Sequence, residues 1–222
     1  MTLDEAIGQL EDLVAEIRRV SRSDDKTPLG NSLSLAQEER EINQGASAYN
    51  VIIFGDLNDF KQLNDSYGYE AGDLAINKVG ETIRRIFVED LQAKAFRLSG
   101  DEFVILLTGE SAESLSSITP SFSNISFSHK DQELVTAMSF GYARSDSKTS
   151  FRELLGRAEN ACKHAKARGD GACVEWTENI EINPLVRRSG TCQRCGGKIS
   201  FNVPEQNAQP ELKFCPSCGE VL

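Results

Sequence analysis

Val51-Ile52-Ile53-Phe54-Gly55 running into Asp56-Leu57-Asn58-Asp59-Phe60-Lys61, and Ala95-Phe96-Arg97-Leu98 turning at Ser99-Gly100-Asp101 into Glu102-Phe103-Val104-Ile105-Leu106-Leu107, are the stretches whose reading decides the fold. Each is a β-rich apolar run with acidic residues at one end, and a short Gly-containing turn between two such runs is a hairpin signal. If the strand ending at Asp56 lies beside that hairpin, Asp56 and Asp101 converge on one spot. Two carboxylates there suit Mg²⁺, a hard ion usually held by one or two carboxylates plus substrate phosphates.

With 222 residues, 39% hydrophobic and 26% charged, the chain can hold one well-buried domain and a small appendage, in the proportions of a globular protein. No apolar run reaches the roughly 20 residues that a bilayer demands. The acidic Asp4-Glu5 start is unlike a signal peptide, so a cytoplasmic protein with no membrane partner is expected. Six cysteines suit that compartment as thiols or metal ligands. The net charge of −10 argues against a general nucleic-acid surface, because duplex affinity rests on Lys and Arg neutralising phosphates. From Arg187 onward the charge is +2 (Arg187, Arg188, Arg194, Lys198 and Lys213 against Glu205, Glu211 and Glu220), so nucleic acid stays open as a partner there alone.

Outward from the two strands, the chain alternates. Leu3, Ile7, Leu10, Val14 and Ile17 recur at four and three residues, an apolar seam two heptads long on an N-terminal helix. Such a seam either packs on its own domain or meets a second copy. Ser21 to Asn31, polar and broken by Pro28 and Gly30, reads as a loop, and Asn31 or Ser32 can cap a helix to about Ile42. Asp59 is a candidate N-cap for a short helix ending at Tyr67-Gly68, and Leu74, Ile76, Val79, Ile83, Ile86 and Phe87 mark a second. Leu115 and Ile118 before Pro120 leave room only for a short helix. Leu134 to Ala143 reads as one strand, Phe151 to Arg168 as an amphipathic helix stopped by Gly169-Asp170-Gly171, and Ala172 to Trp176 as the last strand. Strands and helices in this order predict an α/β or α+β sandwich in which helices cover a central sheet.

Three ordered blocks carry a resemblance: Asp56-Leu57-Asn58-Asp59-Phe60-Lys61-Gln62-Leu63-Asn64-Asp65, then Gly68-Tyr69-Glu70-Ala71-Gly72-Asp73, then Arg97-Leu98-Ser99-Gly100-Asp101-Glu102-Phe103. Roughly residues 24–177 resemble the GGDEF family of diguanylate cyclases, which condense two GTP into cyclic di-GMP. Asp24-Asp25-Lys26-Thr27-Pro28-Leu29-Gly30-Asn31 is similar to the segment that opens those domains, with Pro28 where Gly is usual. The resemblance implies a palm-like βααββαβ sandwich with a mainly antiparallel central sheet. It also implies a homodimer with one GTP per subunit, and Mg²⁺ or Mn²⁺ as cofactor.

On that resemblance Asp56, Asp101 and the carbonyl of Leu57 are the metal ligands, and Glu102 holds a second metal or takes the proton. For either Asp by itself, a helix cap or a turn residue would be the favoured reading. Lys61 and Lys166 match phosphate-contacting positions, with solvated surface lysines as the alternative, and Arg97 and Gly100 fall beside substrate. Asn64 and Asp73 match the positions that read guanine, whose N1–H and N2 amine donate to a carboxylate. Asp73 reads alternatively as an acidic residue facing a helix macrodipole.

The chain also departs from the family. Asp170 and Gly171 stand in place of the Arg and Asn of the family's Ala-Lys-x-x-Gly-Arg-Asn, which should weaken triphosphate binding unless Arg168 reaches in. Ser99 replaces the first Gly of the signature, Tyr69 a frequent His, and Asn58 a frequent second Asp. Asp90-Leu91-Gln92-Ala93 occupies the window of the family's inhibitory Arg-x-x-Asp, so no product feedback is expected through it.

Near the C-terminus, Cys192-Gln193-Arg194-Cys195-Gly196 and Cys215-Pro216-Ser217-Cys218-Gly219 are Cys-x-x-Cys-Gly knuckles with 19 residues between them. Four thiolates so spaced predict a closed tetrahedral Zn²⁺ site, with a redox pair as the alternative. Cys162 and Cys173 read as structural, and His129 and His164 have no ligand partner at useful spacing. The expected organisation is an N-terminal helix (1–23), a GGDEF domain (24–177), a linker (178–190) and a zinc ribbon (191–222), which binds a protein or nucleic acid or merely stacks on a neighbour. The expected activity is that of a diguanylate cyclase. The competing readings are a non-catalytic module that binds GTP or another nucleotide and signals through the ribbon, and a cyclase making a different cyclic oligonucleotide, against which Asp73 argues.

Overall fold

The computed structural model describes residues 2–146, 149–182, 185–191, 194–196 and 198–204. At its centre β1 (Val51–Leu57) pairs antiparallel with β3 (Glu102–Leu107), Val51 opposite Leu107 and Asp56 opposite Glu102. On the far side of β3 lies β2 (Lys94–Ser99), joined to it by the foreseen hairpin. On the other side of β1 lies β6 (Met138–Arg144), antiparallel, and beside it β7 (Cys173–Glu175), parallel. The sheet order is β2-β3-β1-β6-β7. The expected mainly antiparallel sheet is therefore mixed: its last pairing is parallel because the chain returns from β6 through α6 (Phe151–Lys166), a strand-helix-strand crossover.

β1 and β3 are buried on both faces, which is why they read as unbroken apolar runs. Ile53, Leu57, Phe103 and Ile105 pack with Ala71, Ala75, Val79 and Ile83 of α4 (Tyr69–Ile83). Ile52, Phe54, Val104 and Leu106 pack with Leu35 of α2 (Ser32–Asn43) and Leu154 and Ala158 of α6. Phe122 and Phe140 meet edge to face at 4.9 Å, with Phe87 beside both. α6 lies directly on β6: a Cβ at Gly141 would stand 2.0 Å from the Cys162 nitrogen and 2.3 Å from the Ala158 oxygen. Only a glycine permits that approach, and it sets how far the Lys166 end of α6 reaches toward β1.

Capping follows the sequence in one place and not in another. Asn31 Oδ1 accepts from the Leu33 and Ser34 amides and starts α2. Asp59 stands at the N-cap of α3 (Phe60–Tyr67) with φ 52° and makes no side-chain cap bond, so the expected capping role is absent. The helix of Leu74 to Phe87 changes character at Arg84, where π-helical turns run to Asp90. α5 (Leu115–Ile118) is short, between 3₁₀ turns, as Pro120 requires.

The single strand expected over Leu134–Ala143 is two. β5 (Gln132–Thr136) pairs with β4 (Ile125–His129) in a separate two-stranded sheet, and β6 begins after Ala137. β4 alternates buried and exposed positions as a half-covered strand does, whereas β6 is buried almost throughout. The break is pinned by the Asn58 amide, which donates to the Ala137 carbonyl at 2.8 Å.

α1 (Leu3–Ser21) bears its apolar seam in the open: Ile7, Leu10, Val14 and Ile17 are exposed, Leu10 by 61%. The reading in which the seam packs on its own domain is thereby overturned. Where a linker was expected, α7 (Glu178–Ile182) is helical and β8 (Leu185–Thr191) is extended, pairing with β9 (Lys198–Pro204). Cys192, Cys215 and Cys218 lie outside the described residues. Among the described residues no group of three metal-binding side chains occurs, and no helix is long and apolar enough to cross a membrane.

Candidate active site at the end of the central strands

β1 ends where β3 begins, and the β1–β3 register brings the two acidic motifs side by side: Asp56 faces Glu102 on the neighbouring strand, and the Leu57 amide donates to the Asp101 carbonyl at 3.3 Å. The Ser99 hydroxyl donates to Glu102 Oε2 at 3.2 Å, so the residue that replaces a signature glycine holds the neighbouring carboxylate. Lys166, from the end of α6, donates to Asp56 Oδ1 at 2.5 Å and to the Leu57 carbonyl at 3.0 Å. Burial raises the Asp56 carboxyl from its usual 3.8 to about 6; Lys166 opposes the shift, while Asp101 and Glu102 add to it.

The donor set fits a divalent cation. The carboxylate and the carbonyl that the resemblance assigns to metal already draw an ammonium between them, and the charges of Asp101 and Glu102 are felt at Asp56. Hard oxygen donors of this kind suit Mg²⁺ or Mn²⁺.

Other expected residues are placed as follows. Asn64 on α3 sits against α4, where a Cβ at Gly72 would be 2.0 Å from Asn64 Oδ1, and that oxygen is buried with no hydrogen-bond partner among the described residues. Asp73, next along α4, is half exposed and pairs with Lys26 at 2.5 Å. Lys61 is exposed on α3 and pairs with none of the described carboxylates. Arg97 is buried, its Nε donating to the Gly100 carbonyl at 2.9 Å and its Nη1 to Asp24 at 3.2 and 3.3 Å. Expected beside substrate, it is spent instead on bracing the signature turn against the segment that opens the domain. Gly100 contributes the carbonyl that Arg97 grips.

Two departures from the family meet in space: Asn58 Nδ2 donates to Asp170 Oδ1 at 2.6 Å across 112 residues of sequence. Asn58 Oδ1 is buried without a partner among the described residues. Arg168 is exposed, and among the described residues no hydrogen bond or ion pair carries its side chain to the place that Asp170 holds. Sequence reasoning missed the partners Lys26, Asp24 and Ser99. Only the last lies close enough in the chain to have been found, as a hydroxyl three residues from a carboxylate.

Residues 21–172 match the family profile described as the diguanylate cyclase GGDEF domain, and the chain belongs to that family. It is 32% identical over 151 residues to the diguanylate cyclase DgcS of Shewanella oneidensis, covering 64% of this chain and 49% of that protein. It is 28% identical over 160 residues to the diguanylate cyclase DgcN of Escherichia coli, covering 68% of this chain and 38% of that one. The chain thus spans about half or less of these relatives. The coiled coil and GGDEF domain of DgcB from Caulobacter crescentus, solved with c-di-GMP, matches with a TM-score of 0.66 at 21% identity, covering 78% of this chain and 94% of that one. The diguanylate cyclase SiaD of Pseudomonas aeruginosa, solved with its activator SiaC, matches at 0.65 and 23% identity, covering 78% and 68%. At those identities the two structures speak for the α+β fold.

Proposed function

We propose that this chain is a cytoplasmic, metal-dependent diguanylate cyclase that condenses two GTP, one per subunit of a homodimer, into cyclic di-GMP and pyrophosphate. The observation that carries the reading is the Lys166 ammonium lodged between the Asp56 carboxylate and the Leu57 carbonyl, with Asp101 and Glu102 in register beside them. Asp56, Asp101 and the Leu57 carbonyl hold the metal, which when bound neutralises triphosphate charge and eases ionisation of the attacking 3′-hydroxyl. Lys166, released from Asp56, turns to the phosphates with Lys61. Glu102, which accepts from the Ser99 hydroxyl, holds a second metal or takes the hydroxyl proton. Asn64 and Asp73 read guanine. Incubating the purified chain with Mg²⁺ or Mn²⁺ and each nucleoside triphosphate, then identifying products by mass, should give cyclic di-GMP from GTP alone. A different cyclic product, or none under either metal, would sink the proposal.

Asp170 offers a graded test of the phosphate side. An anion stands where the family places a cation, beside an Asn58 Oδ1 that lacks a donor among the described residues. Asp170→Arg should lower the KM for GTP about tenfold, the scale of one charge-assisted hydrogen bond. An unchanged KM would put residue 170 away from the triphosphate.

We further infer that Cys192, Cys195, Cys215 and Cys218 hold a structural Zn²⁺. The first knuckle falls in the connection of the β8–β9 hairpin, the place a zinc ribbon puts it. Elemental analysis should find about one zinc per chain, and its absence from protein purified without chelator would end this reading. A protein or nucleic acid docking on the ribbon is the matching partner.

A further inference from the structure

Lys26 donates to Asp73 Oδ1 at 2.5 Å, and both side chains face solvent, 39% and 50% exposed. An ion pair so exposed adds little to stability. The backbone of Lys26 is nonetheless clamped, which fixes where its side chain starts. The Lys26 amide donates to Asp24 Oδ1 at 3.2 Å, and its carbonyl accepts from Asn77 Nδ2 of α4 at 2.8 Å. The next residue, Thr27, is buried against Gly80, where an added Cβ would come within 2.6 Å of the Thr27 Cβ.

From Lys26 Nζ through Asp73 Oδ1 to Asp73 Oδ2 the pair presents a donor, an acceptor and a second acceptor in a row. The Watson–Crick edge of guanine presents the complement: the O6 acceptor, the N1–H donor and the N2 amine donor. Cytosine meets guanine with the same donor-acceptor-acceptor order, so the pair imitates cytosine with an ion pair. Adenine would set its N6 amine against the Lys26 ammonium and its N1 lone pair against Asp73, opposing like with like. Next to Asp73, Asn64 Oδ1 lies buried against Gly72 with no hydrogen-bond partner among the described residues.

We propose that Lys26 is a guanine-specifying residue that donates to O6 while Asp73 accepts from N1–H and the N2 amine. The proposal deepens the GTP reading and rests on it. Equilibrium binding of GDP, 6-thio-GDP and ADP, none of which this site can condense, separates the two. In 6-thio-GDP the O6 acceptor becomes a weakly accepting sulfur while both donors remain. The parent should prefer GDP to 6-thio-GDP, and Lys26→Met should lose about tenfold in GDP affinity, the scale of one base-edge contact. The variant should also lose the preference over 6-thio-GDP and keep ADP affinity within about twofold. Lys26→Arg, which restores a donor, should recover most of the loss, and an unchanged unfolding temperature would show that Lys26→Met keeps the fold. GDP affinity unchanged in Lys26→Met, or GDP and ADP weakened equally as a general phosphate attraction would give, overturns the role of Lys26 and leaves the GTP reading standing. A parent chain that binds no guanine nucleotide overturns that reading itself.

Discussion

Asp56→Asn should abolish turnover and at the same time make the metal-free protein more stable at neutral pH. The carboxylate is needed only when a cation is present; without one, burial among Asp101 and Glu102 disfavours its charge. With the folded group titrating at about 6 and the unfolded one at 3.8, the folded chain holds an extra proton between those values. Stability therefore falls as pH rises through that window, and the ionised form carries the penalty above it. The shift corresponds to ~3 kcal/mol at most. Because the side chain is 24% exposed and Lys166 sits on it, about 1–2 kcal/mol is the realistic gain for Asp56→Asn at pH 7.5. Lys166 keeps the Leu57 carbonyl and solvent, so the substitution strands no charge. Chemical denaturation of both proteins in EDTA at pH 4 and pH 7.5 should show curves that nearly coincide at the lower pH and separate at the higher. A variant less stable than the parent at pH 7.5 would mean that Lys166 fully compensates the buried charge.

The second large effect belongs to α1. Leu10→Glu together with Ile17→Glu should leave GTP affinity unchanged and reduce turnover per chain by about two orders of magnitude or more, since two bound nucleotides would lose the proximity their reaction requires. Both side chains are exposed on the seam that Ile7 and Val14 complete, so the substitutions cost the isolated chain little. Burying apolar seams against each other gives a coiled coil, yet two heptads make only a weak one. The parent should accordingly show a concentration-dependent monomer–dimer equilibrium by sedimentation, and the variant should sediment as a monomer throughout. Turnover that survived in a strictly monomeric variant would remove α1 from the mechanism.

Arg97 shows how the fold can engage a motif residue in contacts that the sequence does not announce. The resemblance put it beside substrate, two residues before Ser99, while burial and the Asp24 carboxylate draw its guanidinium inward. The segment that opens the domain is thereby tied to the turn that carries Asp101, and strand-edge backbone bonds reinforce the tie: the Arg97 amide donates to the Gly30 carbonyl at 2.8 Å. Asp59 is the local counterpart: Asp is a good N-cap by type, but at φ 52° its side chain makes no cap bond.

What the sequence alone determined was the main elements of the central sheet with the helices that cover it, and the acidic edge. β1, β3 and α6 were legible because burial on one or two faces leaves an apolar period that a short window can read, and Asn31 because a cap acts within three residues. The meeting of Asp56 with the Asp101 turn followed once the two strands were taken as neighbours. Tertiary structure alone decided the partners that tune the site: Lys26 on Asp73 across 47 residues, Arg97 on Asp24 across 73, Lys166 on Asp56 across 110 and Asn58 on Asp170 across 112. It also split the Leu134–Ala143 run and turned β7 parallel, because sheet order depends on which edges remain to be paired after the core has closed. A charged side chain carries no periodic signal of its own; its partner is set by where the packed strands and helices place its backbone.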